Sequence, residues 1–245
     1  MSQSRSNYTP RPMSNVTTYA LGALALVVVA IVIIVVRSGR DEPLPTRNEG
    51  YGQVHNAAVV SALGSDGTVL LGRPDAAKTI DFYEDPLCPA CGQVERAYGQ
   101  ELAQQLDEGK LAIRFHYVNF LDKKSGSGDY STRAIAASEC VAASGSGAVY
   151  SKFQHALFVD KQPAEDGDDL GNQQLADIAR DAGAPADAVQ CVASGAKVEA
   201  AKANAKTATD ALKNLNDQKV STPSVFDGTN RLDMGNQNWV VEVAG

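Results

Sequence analysis

The feature that most constrains this chain is a pair of cysteines, Cys88 and Cys91, placed between a predicted strand and a predicted helix. The strand is Lys78 to Glu84, whose residues KTIDFYE include several of the β-branched and aromatic side chains that favour strands. The helix is predicted over 92–108, where apolar residues recur on one face. A second strand follows over 110–120, with apolar residues at alternate positions. This order predicts a βαβ unit with the two cysteines at its first turn.

Two cysteines separated by two residues at the start of a helix are typical of a redox-active pair. Cys88 precedes the first helical turn, where free N–H groups and the helix dipole stabilise an anion. Its pKa is therefore expected to lie below the free value of about 8.5. Cys91, one turn into the helix, would close or open a disulfide with Cys88 and would be the less exposed thiol. Two other uses of this pattern stay open: half of a zinc site, and a purely structural disulfide.

The other two cysteines, Cys140 and Cys191, lie in a long stretch with only helical signals. Helices are predicted there over 130–143, 147–160, 172–182, 185–194 and 197–215. A disulfide between the two is the simplest assignment, since a free thiol is a liability in an oxidising compartment. Closing a loop of about 50 residues would stabilise the fold by roughly 4 kcal/mol. Two reduced, buried cysteines are the alternative.

An apolar run of 17 residues without a charge, from Ala20 to Val36, precedes the globular part. At about 1.5 Å per residue it covers roughly 26 Å of a bilayer core of roughly 30 Å. We expect an uncleaved transmembrane anchor at 19–36, because no small-x-small cleavage site follows; a cleaved signal peptide and a buried soluble helix are the alternatives. Arginines flank both ends, so they do not set the orientation. A disulfide in 51–245 would place that part outside the cytoplasm and 1–18 inside.

The sequence predicts one globular domain over 51–245, joined to the anchor by a linker at 37–50 that mixes charge, proline and glycine. Short strands are predicted near both ends of this domain, over 57–63, 68–71, 220–226, 229–232 and 239–243. The net charge of −7 and the 44% of apolar residues exclude a disordered tail and a general nucleic-acid binder. The domain is therefore expected to have an ordinary buried core.

Strand, Cys88-Pro89-Ala90-Cys91, helix, strand, a long helical stretch and Thr222-Pro223 before a hairpin together resemble the DsbA-like branch of the thioredoxin superfamily. With the anchor and the second cysteine pair, the chain is similar to the membrane-anchored actinobacterial members. The resemblance covers roughly 55–243. It implies an α/β thioredoxin fold with a large all-helical insertion at about 128–216, preceded by a single N-terminal transmembrane helix.

The resemblance also implies roles for residues outside the cysteine pair. Thr222 and Pro223 would lie beside the active-site disulfide, with a cis peptide bond between them; without the resemblance, Pro223 would equally suit the start of a strand. Family members often have a carboxylate near the buried cysteine that relays its proton. Glu84 or Asp81 would take this role here, and solvated side chains are the alternative. The two thiols are expected to carry out the chemistry by themselves, with no cofactor and no metal.

The activity implied is that of an extracytoplasmic thiol-disulfide oxidoreductase that introduces disulfides into secreted or cell-envelope proteins. Pro89 and Ala90 stand between the cysteines, where the strongest oxidants of the family carry Pro-His, so Cys88 is expected to be less acidic than in those proteins. The partners implied are secreted proteins with free thiols and a quinone-linked membrane oxidase, such as one similar to vitamin K epoxide reductase. The protein would be a monomer anchored in the plasma membrane. A reductase or isomerase, including one for cytochrome c maturation, and a non-redox peptide-binding domain are the alternatives.

Overall fold

The computed structural model describes residues 45–245. The predicted anchor at 19–36 and the segment 1–18 lie outside the described residues. Within 45–245, no helix combines the length and the apolar character needed to cross a membrane.

The described part is built on a mixed sheet of six strands with the order β1-β2-β4-β3-β5-β6. The strands are β1 (Val60–Leu63), β2 (Val69–Gly72), β3 (Lys78–Glu84), β4 (Leu111–Tyr117), β5 (Ser224–Asp227) and β6 (Asn230–Arg231). β3 and β4 run parallel, whereas the other neighbouring strands pair antiparallel. The predicted βαβ unit is thus confirmed, and so are the two hairpins β1–β2 and β5–β6.

Seven α-helices accompany this sheet within the described residues. They are α1 (Pro89–Asp107), α2 (Tyr130–Ala142), α3 (Gly147–His155), α4 (Asn172–Asp181), α5 (Ala186–Ser194), α6 (Val198–Leu215) and α7 (Trp239–Ala244). α3 continues into a π-helical turn, Ala156–Asp160. The five predicted helical segments between 130 and 215 are all present, and the segment predicted over 147–160 is divided into an α-helix and the π-helical turn.

The first helix, α1, begins three residues before its predicted start at 92. Pro89 occupies its first turn, where a missing N–H costs nothing and the fixed φ suits a helix, and Cys88 is the N-cap residue. Gly109 ends the helical stretch with a φ of +73°, a conformation that a side chain would disfavour. The apolar face of α1 is buried and includes Val94, Ala97, Leu102 and Leu106.

Helices cover both faces of the sheet. On one face, Phe82 of β3 packs against Trp239 of α7, which also contacts Tyr98 of α1. On the other face, Tyr83 forms a buried cluster with Leu212 of α6 and Phe226 of β5. Neighbouring residues of β3 therefore point to opposite faces, as expected for a strand.

The strand predicted over 239–243 is wrong, because these residues form helix α7. Trp239, Val240 and Val243 are buried, whereas Val241 is 50% exposed. This burial pattern repeats every three to four residues and matches one face of a helix. The run of β-branched valines favoured a strand in isolation, but packing against α1 stabilises the helix.

The folded part begins before the boundary predicted at Tyr51. The backbone N–H of Arg47 donates to the carbonyl of Ala97 at 2.7 Å, and the Arg47 guanidinium lies 3.5 Å from the buried carboxylate of Glu101. Further along, the Tyr51 hydroxyl donates to Asp107 at 2.9 Å. Residues that the sequence assigned to the linker thus pack along α1.

Candidate active site

The two cysteines of the Cys-x-x-Cys motif lie where β3 passes into α1, at the edge of the sheet where the parallel strands end. Both thiols are free in this structure. Cys88 is 6% exposed and Cys91 is fully buried, so the prediction that Cys91 is the less exposed thiol is confirmed.

Cys88 has the environment of a stabilised thiolate. A hydrogen bond from the Cys91 thiol is the main cause that lowers the pKa of Cys88 to about 6; burial opposes it, while the Thr222 side chain and the N–H groups of Cys91 and Ala90 contribute further. These N–H groups belong to the first turn of α1, which has free donors because helix ends leave them unpaired. Cys88 is therefore largely ionised at neutral pH, as the sequence predicts for a nucleophile.

Cys91 has the opposite environment. Burial raises the pKa of its thiol well above the ordinary value, and the hydrogen bond to Cys88 and the charge of Glu84 raise it further. The two thiols thus differ strongly in acidity, and the single proton of the pair resides on Cys91 at neutral pH. An ionised nucleophile that is the more accessible of the two thiols, with a buried protonated partner, is the arrangement that thiol-disulfide exchange needs.

Glu84 is the buried carboxylic acid next to this pair. It is 2% exposed and accepts a hydrogen bond of 2.9 Å from the amide of Gln154 on α3. Burial raises the pKa of Glu84 well above the ordinary value, and the charges of Glu95 and Cys88 add to this effect. Glu84 therefore retains its proton far more readily than a solvated glutamate, which suits a group that exchanges protons with a buried thiol.

A small cavity of about 20 Å³ connects this acid to a second carboxylate. Glu84, Glu95 and Gln154 line it together with apolar side chains of α1 and the sheet. A cavity of this size has room for about one water molecule. On the far side of Glu95, the imidazole of His155 lies 3.7 Å from its carboxylate.

Asp81, the other predicted relay residue, does not lie at the site, and this prediction is wrong. Its carboxylate accepts hydrogen bonds from Arg114 at 3.0 Å and pairs with His116 at 2.7 Å. Asp81 and Glu84 are three positions apart on one strand, so they point to opposite faces of the sheet. The His116 ring stacks on Tyr83, with ring centroids 4.4 Å apart, on this distant face.

Thr222 and Pro223 lie beside Cys88, as the resemblance implies, and the bond between them is cis. In its protonated form, the Cys88 thiol donates to the Thr222 carbonyl oxygen at 3.4 Å. Apart from the Cys88 sulfur, whose pKa the Thr222 side chain helps to lower, the buried Thr222 hydroxyl has no hydrogen-bond partner among the residues that the structure describes. The segment before β5 therefore presents both a carbonyl and a hydroxyl to the reactive sulfur.

Sequence reasoning missed the groups that hold the loop in front of α1. Asp85 is completely buried and accepts hydrogen bonds from the N–H of Leu87, the N–H of Leu121 and the hydroxyl of Ser131. Burial raises the pKa of Asp85 to about 7, against the effect of these hydrogen bonds. The second group is Gln162, which follows the π-helical turn and donates to this loop. Nothing in the local sequence around 162 indicates this contact.

Cys140 of α2 and Cys191 of α5 form a disulfide with an S–S distance of 2.01 Å. The bond joins two helices of the insertion and is separate from the Cys88–Cys91 pair. Because both sulfurs are bonded to each other, these cysteines do not complete a zinc site with Cys88 and Cys91.

The geometry agrees with the comparisons to known proteins. A family model described as thioredoxin matches residues 64–237. The structure is similar to MdbA, a thiol-disulfide oxidoreductase from Corynebacterium matruchotii, with a TM-score of 0.68 and 28% identity over 79% of this chain and 94% of that chain. It is also similar to oxidised DsbA of Mycobacterium tuberculosis, with a TM-score of 0.58 and 32% identity over 76% of this chain and 93% of that chain.

Among curated proteins, the chain is similar to the serine/threonine-protein kinase PknE of Mycobacterium tuberculosis, with 37% identity over 183 residues. The match covers 74% of this chain and 32% of that protein, so the chain matches about a third of the length of this relative. The family model, the paired thiols and the two structural relatives lead to one conclusion: the chain belongs to the thioredoxin family, in its DsbA-like branch of thiol-disulfide oxidoreductases.

Proposed function

We propose that this protein is a membrane-tethered, extracytoplasmic oxidase that transfers its Cys88–Cys91 disulfide to secreted or cell-envelope proteins. The observation that carries the proposal is the contrast between the two thiols: the pKa of Cys88 is lowered to about 6, whereas that of Cys91 is raised. A stabilised Cys88 thiolate favours the reduced enzyme, and a protein whose reduced form is favoured oxidises its partners.

The first step is attack by a substrate thiolate on the Cys88 sulfur of the oxidised enzyme. A bond forms between the substrate sulfur and Cys88, while the Cys88–Cys91 bond breaks and Cys91 leaves with the electron pair. Because burial makes a Cys91 thiolate unfavourable, it takes up a proton at once. Glu84, a buried acid with a raised pKa, supplies this proton and regains one from solvent.

The second step releases the product. A second thiolate of the substrate attacks the substrate sulfur of the mixed disulfide, and Cys88 leaves as a thiolate. The substrate leaves with a new disulfide, and the enzyme retains both electrons as one thiolate and one thiol. Low basicity of Cys88 speeds this departure, because a thiol of lower pKa is the better leaving group.

The acidity of Cys88 also gives the size of the driving force. With a pKa of about 6 in the folded protein and about 8.5 in a free thiol, ionisation stabilises the reduced form by about 1.4 kcal/mol at pH 7. This free energy corresponds to a reduction potential about 30 mV higher. The contribution is complete above about pH 8.5 and is lost as the pH falls to about 6, because a lowered pKa favours the ionised form.

Location and partners form part of the same proposal. The apolar run at 19–36 supports a membrane anchor, and the bond between Cys140 and Cys191 supports an oxidising compartment. The substrates would be secreted proteins with free thiols. A quinone-linked membrane oxidase, such as one similar to vitamin K epoxide reductase, would reoxidise the pair. Tethering both enzymes to one membrane would raise their effective concentration.

The test is the equilibrium reduction potential of the Cys88–Cys91 pair, measured on the full chain in mild detergent against glutathione buffers. A value above about −180 mV supports the oxidase, because it lies in the range of oxidising thiol proteins. A value near −270 mV, the potential of thioredoxin, would overturn the direction of transfer and favour a reductase. A Cys88→Ala variant provides the matched control, since it lacks the pair but retains the disulfide between Cys140 and Cys191.

A further inference from the structure

A side chain of the helical insertion contacts the active-site loop directly. The amide nitrogen of Gln162 donates to the carbonyl oxygen of Cys88 at 2.9 Å and to that of Pro86 at 3.1 Å. Gln162 is 74 residues away from Cys88 in the sequence. One amide group thus bridges the two carbonyls that flank the buried Leu87, immediately before α1.

The carbonyl of Cys88 also takes part in the first turn of α1. It also accepts hydrogen bonds from the N–H groups of Cys91 at 3.1 Å and Gly92 at 3.3 Å, which close the first turn of α1. The direction of this carbonyl is coupled to the backbone angle ψ of Cys88, because both depend on the same peptide plane. A group that holds this carbonyl therefore also holds the residue that carries the reactive sulfur.

Helix α1 has a glycine, Gly92, at the position where it contacts Gln162. A Cβ atom on Gly92 would lie 2.2 Å from the side-chain oxygen of Gln162 and 2.6 Å from the carbonyl oxygen of Phe158. Both distances are too short for a real contact, so any side chain at position 92 would displace the Gln162 side chain and the backbone of the π-helical turn. Gly92 is buried, and its lack of a side chain creates the space that Gln162 occupies.

The π-helical turn brings Gln162 to the loop. It follows α3 without a break, and the N–H of Lys161 donates to the carbonyl of Ala156, five residues earlier. A π-helical turn at the end of an α-helix is rare and is often found at functional sites. Here it brings Gln162 next to Cys88, and the same stretch carries Phe158, which packs in the main core.

We propose that Gln162 is a positioning residue for Cys88, which holds the Cys88 carbonyl so that the sulfur stays against Thr222 and the first turn of α1. The role rests on the proposal that Cys88 is the sulfur that exchanges with substrate, as the attacked sulfur or as the thiolate, and it applies to either direction of electron transfer. Loss of Gln162 is therefore expected to make Cys88 less acidic and slower in exchange.

The experiment compares Gln162→Ala with Gln93→Ala in the full chain. Gln93 is an exposed glutamine on α1 next to Gly92, so its variant controls for loss of an amide near the site. The Cys88 thiolate is titrated by its ultraviolet absorbance, and the exchange rate is measured with glutathione disulfide. We expect the midpoint of Gln162→Ala to rise by up to about one pH unit, equivalent to the loss of one of the hydrogen bonds that stabilise the thiolate, and that of Gln93→Ala to match the parent protein.

A second variant changes the α1 side of the same contact. Gly92→Ala introduces the Cβ that would displace Gln162, so its effect on the Cys88 midpoint should be similar in direction. If both variants act through one contact, the double variant shows less than the sum of the two shifts. If Gly92→Ala does not fold, Gln162→Asn, whose amide is one methylene shorter, serves in its place.

An unchanged midpoint and exchange rate in Gln162→Ala would overturn the proposal. A lower melting temperature with an unchanged midpoint would also overturn it, because it would make Gln162 a purely structural residue. These results are distinct from a failure of the oxidase proposal, which would appear as a low potential in the parent protein. The midpoint of Cys88 is compared between variants, so the comparison holds whichever way electrons flow.

Discussion

Replacing Cys91 by alanine is expected to raise the pKa of Cys88 from about 6 toward the ordinary thiol range. The hydrogen bond from the Cys91 thiol is the largest of the causes that lower the pKa of Cys88. A hydrogen bond to a charged group contributes about 1.5 to 3 kcal/mol, or roughly one to two pH units. The midpoint in Cys91→Ala should therefore lie at about 7 to 8.

The change is large enough to measure in two ways. At pH 7 the thiolate fraction of Cys88 would fall from about 90% to between about 10% and 50%, and the rate of alkylation would fall with it. The assay is the ultraviolet absorbance of the thiolate between pH 4 and 10, with alkylation by iodoacetamide as a second readout. Cys88→Ala removes the signal and so identifies it.

Cys91→Ser is the matched control, because its hydroxyl retains a donor at the same position. Its midpoint should stay close to that of the parent protein. The reasoning would be refuted if Cys91→Ala also titrated near pH 6. That result would assign the acidity of Cys88 to the N-terminus of α1 and to Thr222, with no measurable contribution from Cys91.

Three further predictions concern the acid, the disulfide and the core. Glu84→Gln should slow formation of the mixed disulfide, because Cys91 then leaves without its proton donor. The same variant should be more stable at pH 7, because a buried acid with a raised pKa destabilises the fold above about pH 4.3; this gain should vanish at lower pH in urea unfolding. Replacing Cys140 and Cys191 together by serine should lower the free energy of unfolding by about 4 kcal/mol, with the Cys88 midpoint unchanged, since the bond closes a separation of 51 residues. Trp239→Ala should cost about 3 to 5 kcal/mol in thermal unfolding followed by circular dichroism, because this 3% exposed ring packs against Phe82.

Each of these has a clear contrary outcome. An unaltered rate of mixed-disulfide formation in Glu84→Gln would remove Glu84 from the proton path. A shifted Cys88 midpoint in the double serine variant would mean that the second disulfide supports the active site as well as the fold. Trp239→Phe retains an aromatic ring and should cost less than Trp239→Ala; equal losses would place the effect outside the aromatic contact.

The elements around the active site could be predicted from the sequence because their signals are local. Lys78–Glu84 has the composition of a buried strand, and its predicted bounds are those of β3. The helices of the insertion are separated by glycine and other turn residues, which interrupt the helical pattern. The predicted start of α1 lay three residues too far along the chain. Pro89 suits the first position of a helix, but it was assigned to the cysteine motif instead.

Residues 239–243 show where local signals fail. Their valines favour a strand, and the helix forms because Trp239 and Val243 bury one face against the core. The sequence left the choice between Glu84 and Asp81 open for a related reason. A strand alternates between two faces, and the sequence alone does not say which face receives α1 and the two thiols.

The sequence by itself determined that this protein places a redox-active cysteine pair at the start of a helix in a thioredoxin-like βαβ unit, because residue type and spacing encode both. The tertiary structure decided which distant groups act on that pair: Glu84 with Gln154, Thr222 before the cis proline, and Gln162 from the insertion. Their contacts join residues 70 to 134 positions apart in the chain. Such contacts depend on how helices pack against the sheet, and no local pattern of side chains specifies that packing.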